Sequence, residues 1–176
     1  MLIGSNEYVI KKTVKELKHF EQTVEEIKRL ARTYYFDLLR PRQNGEKALV
    51  DLTPHELFYF VRDDCKYVSD PKGVEHVSRP MISLWKRNKD FPFDCDDRTI
   101  LSIAYFVANN VLNQLRGGKS IYEVRIIVAG QEDRAHHVYV EYRAHGGDWI
   151  VFDPTYPWSE FNKRLFVEGF RREYSV

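Results

Sequence analysis

The chain has 176 residues, 43% of them hydrophobic and 14% aromatic, with a formal net charge of +1. That length and composition fit one domain with a core of its own, and the near-zero charge excludes a strong nucleic-acid-binding field. Two cysteines, Cys65 and Cys95, allow at most one bridge and show no CxxC spacing, so free thiols in a reducing cytoplasmic setting are expected and a cysteine zinc site is not.

The N-terminus carries no apolar leader, and no stretch approaches the roughly 18 uninterrupted apolar residues of a membrane span. Thr13 with Glu16 is a capping box. Leu17, Phe20, Val24, Ile27, Ala31, Tyr34 and Leu38 then recur at spacings of three and four, which predicts one amphipathic helix ending before Pro41. Gln43-Asn44-Gly45 reads as a turn. Thr53, Pro54 and Glu56 open a second helix with a second capping box, running to about Asp63. A loop at Asp70-Pro71-Lys72-Gly73 precedes a short helix over Met81 to Arg87. Asp94 then caps a longer one with Cys95 in its first turn. Ile100, Ile103, Ala104, Val107, Val111 and Leu115 form its apolar face, and Gly117-Gly118 ends it.

Beyond that helix the pattern changes. Ile121–Ala129, His136–Arg143 and Trp149–Asp153 read as strands, the last two joined by a glycine-containing hairpin loop. Trp158, Phe161, Leu165 and Phe170 mark a final helix or packed arm. Helices first and sheet later give an α+β class, with the Cys95 helix packed on an antiparallel sheet. The single domain divides into a helical region over 1–69, a core over 70–157 and an arm over 158–176.

A cysteine at a helix start, a histidine on one strand and an aspartate on the next form a nucleophile, a base and an orienter. The helix N-terminus favours the Cys95 thiolate, typically by about 0.3–1 kcal/mol, but Asp94, Asp96 and Asp97 oppose it, so Cys95 needs a cation beside it. His136 and His137 face opposite sides of their strand and only one serves. A three-residue loop, Ala144-His145-Gly146, sets His137 opposite Asp153 on one face, whereas a two-residue Gly146-Gly147 turn parts them. Asp96 and Asp97, with His136, His137 and Asp153, are also donors suited to a divalent ion. Helix-start charges and local hydrogen-bond partners are the simpler reading, and no metal or cofactor is expected. Cys65 reads as a buried structural thiol, and Tyr139 shares the His137 face as a candidate cleft-lining residue.

The segments Asp94-Cys95-Asp96-Asp97, His137-Val138-Tyr139-Val140-Glu141 and Trp149 to Thr155, in this order, resemble the transglutaminase-like superfamily of papain-like cysteine enzymes. The likeness spans Asp70 to Pro157, and its lead-in resembles small bacterial and phage members. The departure is Phe93, where members often carry glycine. The resemblance implies a papain-like core and acyl transfer at an amide of a protein or peptide. Cys95 attacks, His137 relays the proton and Asp153 fixes the tautomer. The Cys95 N–H is an oxyanion donor, with Trp85 or Asn88 as a second. It favours hydrolysis, with glutamine transamidation or a non-catalytic assembly module as alternatives. A cytoplasmic setting follows, or a virion if the chain is phage-encoded.

Overall fold

A computed structural model describes residues 19–42 and 45–176. The Thr13–Glu16 capping box, Leu17, Gln43 and Asn44 lie outside them. The described residues form α1 (Phe20–Tyr34), α2 (Pro54–Asp63), α3 (Pro80–Lys86) and α4 (Cys95–Leu115), then β1 (Tyr122–Gly130), β2 (His137–Ala144), β3 (Ile150–Phe152) and β4 (Phe170–Ser175). The strands make one antiparallel sheet in the order β3-β2-β1-β4. The class is α+β, as the order of patterns predicts.

Helix α4 is the axis of the molecule, packed between the sheet on one side and α1 on the other. Its first half is buried on every face, which the single predicted stripe understates: Leu101, Tyr105 and Phe106 are as buried as Ile100 and Ile103. Its last turn leaves that environment, and Leu115 is 79% exposed. Phe106 stacks on Tyr142 and meets Phe152 edge-on, joining the helix to β2 and β3. Val128, Val138 and Val140 complete that interface, while Ile127, Ala129, Tyr139 and Val151 form a second cluster on the far face of the sheet.

The first helix ends sooner than its periodicity predicts. After Tyr34 the chain tightens into a 3₁₀ stretch, Tyr35–Leu39. Within it, buried Asp37 accepts hydrogen bonds from the Arg79 guanidinium at 2.6 and 3.0 Å and from the Met81 N–H at 3.0 Å. The start of α3 has no cap of its own, and Asp37 supplies one from 44 residues away. The capping box at Thr53 and Glu56 forms as predicted.

The C-terminal segment corrects the expectation of a final helix or packed arm. Phe170–Ser175 is a strand paired with β1 at the sheet edge. Its sequence, Phe-Arg-Arg-Glu-Tyr-Ser, is charged because an edge strand exposes half its side chains, and such charges discourage further strand pairing. No helix among the described residues is long and apolar enough to cross a membrane.

Candidate functional site

Asp94 caps α4 by accepting the Asp96 N–H at 3.2 Å, which leaves Cys95 as the first residue of the helix. The first turns of α4 meet β2. The Cys95 thiol donates to Asp96 Oδ1 at 4.0 Å, and the Val138 carbonyl accepts from Thr99 Oγ1 at 3.2 Å. The start of α4 is thereby docked on the start of β2 at Val138.

His137 is buried, and its Nε2 lies 2.7 Å from Asp153 Oδ2. Asp153 is itself 2% exposed, and its other oxygen accepts from Thr155 Oγ1 at 2.6 Å. The carboxylate is thus satisfied on both sides, which fixes the imidazole. The rings of Tyr139, Tyr156 and Phe166 surround His137 at centroid distances of 5.8, 6.1 and 5.9 Å. His136 is exposed and packs on Phe166.

The hairpin reaches this pairing by a route other than the predicted loop. Val140↔Phe152, Glu141↔Val151 and Tyr142↔Ile150 are symmetric about residue 146, not 145. His145 and Gly146 both have positive φ, 50° and 76°, and the Gly147 N–H donates to the Ala144 carbonyl at 3.0 Å, a type I′ turn. Asp148 and Trp149 lengthen the connection before β3. Extending the register sets Asp153 opposite Tyr139, diagonal to His137. The offset between the expected and observed pairing is two residues, so the face is kept and the dyad survives.

Cys95 and His137 line one cleft of about 410 Å³, with His19, Phe20 and Thr23 of the α1 start, Tyr67, and the carboxyls of Glu75, Asp94 and Asp96. The structure does not bring Trp85 or Asn88 to it. Trp85 is 53% exposed beside Phe91, and Asn88 sits near the Asp64 carbonyl. Tyr139 does not line it either: its hydroxyl donates to Glu168 on the far face of the sheet. Phe93, the departure from the resembling pattern, is fully buried against the Arg98 guanidinium and leaves the cleft wall untouched.

The electrostatics are those of a buried acidic cluster. Burial pushes the Cys95 thiol well above its usual range, Asp96 and Asp94 add to this, and the Val138 N–H opposes them. Burial also raises Asp96 well above its usual range, helped by a hydrogen bond with the Glu75 carboxyl that requires a proton between them. Asp94 is pushed up to about 7 by burial and by Asp70 and Asp97. Asp97 is raised to about 6 by burial, offset by Lys86, whose ammonium lies 2.6 Å away. Asp97 also accepts the Ser78 N–H at 2.8 Å. Among the described residues no group of three or more His, Cys, Asp or Glu side chains is arranged to hold a metal ion. Cys65 is buried and its thiol is pushed up to about 12.

These raised carboxyls make stability pH-dependent. Between about 4 and 7 the folded Asp94 holds a proton that the unfolded chain releases, so rising pH favours unfolding. Asp97 acts in the same sense between about 4 and 6. The expected result is a melting temperature that falls as pH rises across this window. Asp94→Asn keeps a capping side chain and is expected to flatten the slope; an unchanged slope removes Asp94 as its source.

Comparison with family models, curated proteins and solved structures gives no match to this chain.

Proposed function

We propose that the chain is a cysteine-nucleophile amide hydrolase with a Cys95–His137–Asp153 triad, on a core of the papain-like, transglutaminase-like kind. One observation carries this reading: a buried His137–Asp153 hydrogen bond of 2.7 Å opens onto the same cleft as a cysteine at a helix N-terminus. With Nε2 committed to Asp153, the His137 ring nitrogen left to take the thiol proton is Nδ1.

Cys95 passes its proton to His137 and its sulfur attacks the amide carbonyl. The tetrahedral oxyanion is met by the Cys95 N–H at the positive end of α4. As the intermediate collapses, the C–N bond breaks and the leaving amine takes the proton from the imidazolium. Water, deprotonated by His137, then cleaves the thioester and restores the thiol. The neighbouring carboxyls raise the thiol, so in this reading the thiolate depends on the imidazolium that lines the same cleft. Asp96, raised well above its usual range, removes part of the opposing charge when it holds its proton.

The test supplies a glutamine-containing peptide with a labelled primary amine. Release of free acid and ammonia without label supports hydrolysis. Incorporated label supports transamidation by the same triad. Neither product, across a peptide library, together with no selective Cys95 labelling, leaves the fold as a binding or assembly module.

A further inference from the structure

Arg98 follows Cys95 by three residues on α4 and is 1% exposed, yet no ion pair holds its guanidinium among the described residues. Its donors go to carbonyls instead: Nη1 to Val61 and to Pro154, each at 2.6 Å, and Nη2 to Cys65 at 2.5 Å. Nε has no partner. A buried cation without a contacting carboxylate is costly, and a neutral side chain would serve packing better. Its neighbours suggest what the charge is for. Pro154 directly follows Asp153, and the guanidinium field acts on Cys65, Tyr67, Asp153 and Asp94. The next residue, Thr99, holds the Val138 carbonyl beside His137. Two successive residues of the Cys95 helix therefore anchor the two chain segments that carry the other triad members.

We propose that Arg98 is a positioning residue that acts through Asp153: it ties the Asp153-Pro154 segment at the end of β3 to the nucleophile helix and holds the Asp153 side chain facing His137. The proposal rests on the triad reading for its effect on Cys95, but its first readout does not. The His137 Nε2 proton shared with Asp153 is read by its low-field NMR signal in the full-length protein, and the Cys95 alkylation rate is followed across pH. Asp153→Asn is expected to lose the signal. Arg98→Met should lose it too, and Arg98→Lys, which keeps the charge but cannot span three carbonyls, should retain it weakened.

Both Arg98 variants should slow alkylation of Cys95 at pH 7 by roughly tenfold to a hundredfold. Arg98→Lys should add nothing further on an Asp153→Asn background, because residues acting through one partner are not additive. If Arg98→Met does not fold, the lysine variant and the double variant carry the test. An unchanged His137 signal in Arg98→Lys, or a full second loss of rate on the Asp153→Asn background, overturns the proposal. If His137→Ala leaves Cys95 alkylation unaltered, the triad reading fails, while the NMR signal still decides whether Arg98 holds the His137–Asp153 pair.

Discussion

Cys95→Ala is expected to abolish amide hydrolysis, and His137→Ala to lower kcat/KM by roughly a thousandfold or more. The reason lies in the charge balance around the sulfur. Burial, Asp96 and Asp94 all raise the Cys95 thiol, and one N–H, from Val138, works against them. Without the imidazole almost no thiolate forms at neutral pH, so His137→Ala should also shift the pH midpoint of Cys95 alkylation upward. Because the two residues act as a unit, the double variant should be no worse than the worse single one. Asp153→Asn leaves the shape intact but offers the His137 Nε2 a group that can present its amide, so a large loss of kcat with little change in KM is expected. Equal labelling of wild type and Cys95→Ala by a thiol probe would show that reactivity resides at Cys65 and end the reading.

The largest expected effect on stability is at Lys86. Its ammonium is 4% exposed and contacts Asp97 Oδ2 at 2.6 Å and Ser78 Oγ at 2.9 Å. Lys86→Met leaves the fully buried Asp97 carboxylate without its counter-charge. Breaking one half of such a pair typically costs about 3–5 kcal/mol, read at pH 7 from urea unfolding. The penalty has a signature in pH. Burial already lifts Asp97 to about 6, so at pH 5 the carboxyl is mostly protonated and loss of the ammonium should cost less. Lys86→Met/Asp97→Asn should recover part of the loss at pH 7, since no charge is then stranded. A penalty independent of pH would place the cause in packing against Phe93 instead of in the pair. Asp97 also holds the Ser78 N–H, so the same variant tests how firmly α3 is seated against the start of the Cys95 helix.

The elements carrying the site were legible because each depends on local chemistry. Thr53, Pro54 and Glu56 make a capping box with no help from distant residues. Asp94 accepts the Asp96 N–H and starts α4 where a capping residue should. The alternation from His137 onward requires only that β2 have two faces. What escaped the sequence depends on distant partners. The end of α1 is set by Asp37 reaching Arg79 and Met81. Strand β4 is polar because it is an edge. Arg98 gave no local signal beyond being a cation three residues after the cysteine. Trp85 and Asn88 stand a few residues upstream of the nucleophile in the sequence, but α3 and the loop after it leave both exposed.

By itself the sequence determined the types of the elements from α2 to β3 and the cap that leaves Cys95 at a helix start, and it tied a shared face for His137 and Asp153 to the hairpin register. Periodicity and capping are properties of neighbours along the chain. The tertiary structure decided the hairpin register about residue 146, the burial that raises the carboxyls of Asp94, Asp96 and Asp97, and the seating of the Cys95 helix start against Val138. Those depend on which segments exclude water from one another, and desolvation is a property of the packed whole that no window of residues contains.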